Sequence, residues 1–129
     1  MPLPAGVHSV VWVVAMPYAV RGVGNYASPA YATRYPRWLI ADLELLLYVG
    51  AISGAPTLTW TVQSSADGGA SWTNIPGTSS TISAAGNALA NVGGVGAGQS
   101  LRFAGRITGG ASDTMSFRAL AVLFTADLP

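Results

Sequence analysis

The sequence predicts an all-β chain: an antiparallel β-sandwich or jelly-roll-like single domain with an extended N-terminal arm or loop. Three observations carry that expectation. Segments rich in β-branched and aromatic residues recur, several with apolar and polar positions in alternation. Clusters of Gly, Pro, Ser and Asp fall between them. No stretch carries the three- and four-residue spacing of a strong amphipathic helix. At 129 residues the chain has enough length for one core, so residues 1–129 read as one domain.

Val7 to Ala15 is dense in Val with one Trp. These residues are poor helix formers that suit a pleated surface, and the run reads as a largely buried strand. The apolar character continues to Val20, but no Lys or Arg precedes it and Pro17 interrupts it, unlike a secretory leader. From Leu39 the odd positions Leu39, Ala41, Leu43, Leu45, Leu47 and Val49 are apolar, whereas the even ones include Asp42 and Glu44. Period two is the simplest fit, with a leucine-rich helix as the alternative. The stretch is too short, and too charged, to cross a bilayer.

Thr57 to Gln63 alternates cleanly: Leu58, Trp60 and Val62 face one way and the threonines and Gln63 the other. Ser64 to Gly69 supplies a turn, and Ser71 to Ile75 returns as the second strand of a hairpin. Thr78 to Ser83 suits a short further strand after Pro76 and Gly77. Ala84 to Ser100, with five glycines among small residues, reads as a long loop with limited strand content. Leu101 to Thr108 sets Leu101, Phe103 and Ile107 against Arg102 and Arg106, and Met115 to Phe124 forms the last strand.

Half of the residues are hydrophobic and only 9% are charged, leaving a net charge of +1. A soluble domain ordinarily carries about 25% charged residues, so this composition suits a chain whose surface is covered by partners. Cysteine is absent, which excludes disulfide scaffolds, thiol catalysis and thiolate metal sites.

Motifs that would carry chemistry are sparse. Gly22, Gly24 and Ala27 fit G-x-G-x-x-A with Asp42 downstream, but Ser28, Pro29, Tyr31, Thr33 and Pro36 follow where a dinucleotide site needs a helix. His8 is the single histidine, too little for a triad or a histidine metal site. Asp42 and Glu44 share a strand face without evident companion ligands and read as a solvated or interface-facing edge. The expectation is a non-enzymatic chain with no catalytic residue, cofactor or metal. Residues 21–38 differ from the rest, because Arg21, Tyr26, Tyr31, Arg34, Tyr35, Arg37 and Trp38 cluster in a segment broken by Pro29 and Pro36. Arg with Tyr and Trp is the composition of interface hot spots, so this segment is the candidate protein interface. Net charge gives little support to nucleic acid as its partner.

Ser65, Asp67, Gly69 and Trp72 match S-x-D-x-G-x-x-W, the pattern of the Asp-box of sialidase-like β-propellers. The resemblance covers eight residues and implies a structural role, with Asp and Ser tying down the turn and the aromatic beneath it. More widely, the alternating strand ending Gln63-Ser64-Ser65, the Asp67-Gly68-Gly69 turn, and Ser71-Trp72-Thr73-Asn74-Ile75-Pro76 belong to a recurring pattern. With the Thr/Ser-rich strand, the Gly-rich loop and the two closing strands, it resembles small bacteriophage virion proteins. That resemblance implies a structural subunit, most simply a capsid decoration or cement protein assembled in the bacterial host cytoplasm. It further implies a homo-oligomer, a trimer by preference, docked on the major capsid protein or other virion proteins. A tail or head–tail connector component is the alternative within that class. A carbohydrate-binding sandwich is the alternative outside it, and an open groove displaying Trp60 would favour it.

Overall fold

The computed structural model describes residues 7–32, 38–92 and 99–127. Its strands are β1 (Val7–Gly22), β2 (Gly24–Ala27), β3 (Tyr31–Ala32), β4 (Trp38–Ser53), β5 (Thr57–Ser65), β6 (Thr73–Asn74), β7 (Ser80–Ile82), β8 (Gly86–Val92), β9 (Ser100–Thr108) and β10 (Thr114–Asp127). No helix occurs among the described residues, so the leucine-rich stretch is strand.

One sheet runs β1-β10-β4-β8 and the other β2-β9-β5-β6, with β3 also on β9 and β7 also on β5. Every pairing is antiparallel. Counting β2 with β3, and β6 with β7, as single positions leaves eight. First pairs with eighth, second with seventh, third with sixth and fourth with fifth. That is one long hairpin rolled into two layers, and β10 on β4 and β9 on β5 join its halves. This arrangement is the jelly-roll.

Alternation makes the core. Leu43, Leu45, Leu47 and Val49 from β4 and Met115, Phe117, Ala119, Ala121 and Leu123 from β10 meet Leu58, Trp60 and Val62 from β5 and Leu101, Phe103 and Ile107 from β9. Trp60 stacks on Phe103 with ring centroids 6.1 Å apart, and Phe103 meets Phe117 at 6.0 Å. Gly105, opposite Trp60 in register, leaves room for these rings, since a Cβ there would lie 2.9 Å from Phe103.

Three expectations change. The limited strand content expected in residues 84–100 is a full strand over Gly86–Val92, because Ala88, Ala90 and Val92 alternate inward beside the leucines of β4 to form β8. Small side chains fit beside large ones there, a pairing that only the neighbour reveals. The return strand of the hairpin shortens from Ser71–Ile75 to Thr73–Asn74. The described part of the 21–38 segment is not a free arm: it completes β1 and supplies β2 and β3 along the edge of β9. Ser28 bridges the last two, its amide donating to the Phe103 carbonyl and its Oγ accepting from the Phe103 amide, each at 2.9 Å. The side chain thus carries the ladder up to Pro29, which has no N–H to give.

Candidate functional site

The two outer faces of the sandwich differ in chemistry. On the β5–β9 sheet, Thr57, Thr59, Thr61 and Gln63 stand beside Arg102, Ala104 and Arg106. All but Thr57, with Asn25 and Asn74, line a shallow trough of about 410 Å³. The other sheet is apolar on both sides. Strand register places Trp12, Val122, Glu44 and Asn91 in one row across it, and Val14, Leu120, Leu46 and Leu89 in the next. Arg118, Tyr48 and Asn87 follow, with Tyr18 beside Tyr48 at 6.0 Å. Asp42 and Phe124 pair beyond the Trp12 row.

Much of this face is open to solvent. Trp12 is 63% exposed, Val20 70%, Val14 57% and Leu89 54%, while Leu46, Leu120 and Phe124 are half-buried. Its charges flank the Val14–Leu120–Leu46–Leu89 row. Asp42 and Glu44 lie toward one end of β4, and Arg118 toward the other, its guanidinium 5.3 Å from the Tyr48 ring. Between Leu46, Tyr48, Asn87, Arg118 and Leu120 the surface dips into a hollow of about 180 Å³. Gly50, the bulged residue of β4, lets Tyr18 lie across it, since a Cβ there would collide with the phenol.

Of the residues named from sequence as an interface, Arg21 and Tyr26 have described side chains, and these lie away from the apolar face. Arg21 and Tyr26 come together at one end of the core, where the guanidinium lies 5.0 Å from the Phe117 ring and 5.5 Å from that of Tyr26. Arg21 Nη2 donates to the Pro17 carbonyl at 2.6 Å, and the Tyr26 hydroxyl to that of Gly22 at 2.7 Å. These contacts tie the pair to its own fold. Tyr31 and Trp38 are placed by their backbones alone, in β3 and at the start of β4. Arg34, Tyr35 and Arg37 lie outside the described residues.

The hairpin quartet is assembled as a turn lock. Ser65 Oγ donates to Asp67 Oδ1 at 2.6 Å and accepts from the Gly69 amide at 2.9 Å. The Ser71 amide and hydroxyl both donate to the Asp67 carboxylate. Those hydrogen bonds, that from Ser65 foremost, hold the Asp67 carboxyl well below the usual carboxylate range. Gly68 and Gly69 take φ of +73° and +97°, a left-handed conformation that side chains resist. Trp72 lies against Gly69 and is covered by the Arg102 guanidinium at 4.2 Å, whose Nε is bound to Gln63.

Trp60 is 1% exposed and is no sugar platform, while Trp72 is half-buried with the Arg102 guanidinium over its ring. The glycine motif at Gly22–Ala27 is strand, so no helix terminus faces a pyrophosphate. His8 lies in β1 at the shift of register between Val7 and Ser9. Among the described residues no three His, Cys, Asp or Glu side chains gather as metal ligands.

The apolar outer face escaped sequence reasoning, although its signal was present. In β1, β4 and β10 both parities are apolar, as in Val-Val-Trp-Val-Val and Leu-Leu-Leu-Tyr-Val. Near-continuous apolar strands are those covered on both faces, whereas this sandwich covers one. The chain matches none of the known protein-family models and none of the curated proteins compared with it.

Proposed function

We propose that this protein is a structural, non-enzymatic subunit of a phage virion, of the capsid decoration or cement kind, working through protein–protein contacts. The observation that carries the reading is the open apolar face built on Trp12, Val14, Leu46, Leu89 and Leu120. An exposed apolar patch of this breadth marks a surface that is covered in the working assembly. Low charge elsewhere suits a subunit held among neighbours, and symmetry multiplies a modest contact over many copies. The jelly-roll is shared by viral capsid and lectin domains, which is support by analogy. The phage assignment itself rests on the resemblance of the hairpin and its flanking strands.

The trough on the opposite sheet favours a second reading, a carbohydrate-binding module, since Asn25, Gln63, Asn74 and Arg106 offer polar groups along a shallow groove. Co-sedimentation separates the two. The purified chain is expected to pellet with empty phage capsids and to ignore polysaccharide matrices. Retention on polysaccharide without capsid binding would overturn the virion reading.

A further inference from the structure

We infer that the apolar outer face pairs with a second copy of this chain about a two-fold axis lying in the interface across the strands. The inference rests on the proposed role as an assembly subunit and specifies its partner. Two properties of the face point to a copy of itself.

The first is area. At about 150–250 Å² for a whole aromatic side chain and somewhat less for an aliphatic one, the open fractions of Trp12, Val14, Tyr18, Val20, Tyr48 and Leu89 amount to roughly 650 Å². The half-buried Leu46, Leu120 and Phe124 add to this. A standard interface covers about 800 Å² per partner, so one copy offers nearly the area that a stable dimer needs.

The second is charge layout. The row Val14, Leu120, Leu46 and Leu89 runs across all four strands and is aliphatic throughout. Glu44 lies one row to one side of it and Arg118 one row to the other, on adjacent strands. Two aligned face-to-face pairings exist for such sheets. A two-fold along the strands lays β4 over β10 of the other copy and keeps Glu44 in its own row, over Val122 and beside the other Glu44. The other Arg118 is then four residues away, which leaves like charges nearest each other. A two-fold across the strands, through the aliphatic row, sets Glu44 of one copy over the hollow beside Tyr48 and Arg118 of the other, twice. The same operation lays Trp12 over Tyr18 and packs the aliphatic row on itself. Such a contact is isologous and closed, giving a dimer and no filament.

The test is analytical ultracentrifugation of the full chain over a wide dilution series. A dimer is expected, and Glu44→Arg or Arg118→Glu alone should raise Kd about tenfold or more. The double variant should restore it to within about threefold. Glu44 and Arg118 of one copy lie four residues apart along the strands, roughly 13 Å, beyond the Debye length of about 10 Å at 0.1 M salt, so this rescue reports contact between copies. The chain has no cysteine, which allows a second readout that tolerates the fold. Leu89→Cys should be joined to its own counterpart by a short bismaleimide, while Thr59→Cys on the opposite sheet should not. A trimer, a dimer indifferent to the charge exchange, or failure of the Leu89→Cys link would overturn the inference. So would a monomer; one that pellets with capsids leaves the virion role standing, and one that does not removes both. A charge-sensitive dimer that ignores capsids supports the pairing and overturns the virion role.

Discussion

Replacing Trp60 separates two opposing terms at the centre of the core. Its indole is 1% exposed and stacks on Phe103, yet its Nε1 N–H finds no hydrogen-bond partner among the described residues. Trp60→Phe leaves roughly 40 Å³ unfilled, which at about 24 cal/mol per Å³ costs about 1 kcal/mol, and the smaller ring loses about 1 kcal/mol of burial. Removing an unpaired buried donor returns about 1–3 kcal/mol. The net change is expected within about 1 kcal/mol of zero, or roughly 3–5 °C in Tm for a domain of this size. Trp60→Ala keeps the relief but loses the ring, and should cost about 3–5 kcal/mol. The assay is guanidinium unfolding followed by far-UV circular dichroism, which avoids the fluorescence change that the substitution causes. Protein concentration is held constant, because self-association shifts apparent stability. A loss of about 2 kcal/mol or more in Trp60→Phe with an unchanged m-value would refute the reasoning, since relief of the orphaned donor would then be absent.

Three further outcomes follow from the turns and the polar interior. Asp67 has its folded pKa below its unfolded one, so its hydrogen bonds contribute stability above the ordinary carboxylate range. That contribution is lost as pH falls below about 4; Asp67→Asn should flatten the acid limb of Tm against pH, and an unchanged limb would count against the turn lock. Thr78 Oγ1, buried, accepts from the Val62 amide at 3.1 Å and donates to the Ile75 carbonyl at 2.7 Å. Thr78→Val should cost about 1–3 kcal/mol by orphaning that amide, with Thr78→Ser recovering most of it in chemical denaturation. Gly54 has φ of +81°, and a Cβ there would collide with the Asp113 carboxylate, whose Oδ2 accepts from the Gly110 amide. Gly54→Ala should lower stability by about 1–2 kcal/mol, and a neutral result in a thermal melt would mean that the loop relaxes freely.

Much of the fold was legible because its signals are local. The alternation at Leu58, Trp60 and Val62 places these side chains inward whatever lies opposite, and the Asp67-Gly68-Gly69 turn works by contacts within seven residues. The β8 strand was hidden because Ala88 and Ala90 are weak strand formers whose placement depends on the leucines of β4 beside them. The candidate site was less legible. Arg21 and Tyr26 have the composition of an interface, but a side chain's neighbours in space decide whether it serves a partner or closes its own core. Here Phe117, ninety-one residues or more along the chain from both, takes them.

By itself the sequence determined the all-β class, the main alternating strands, the hairpin lock and a chain poor in charge, because propensity, period and composition act over a few residues. Tertiary structure decided which strands became neighbours and therefore which of two apolar faces is core. Trp12 and Val14 lie on the same Val-rich strand as Ala15, yet Trp12 and Val14 point away from the second sheet while Ala15 is covered. A strand apolar on both sides carries no mark of which side its own chain will bury. That choice belongs to the long-range pairing of β1 with β10 and the rolling of the hairpin, and it leaves the other side open to solvent.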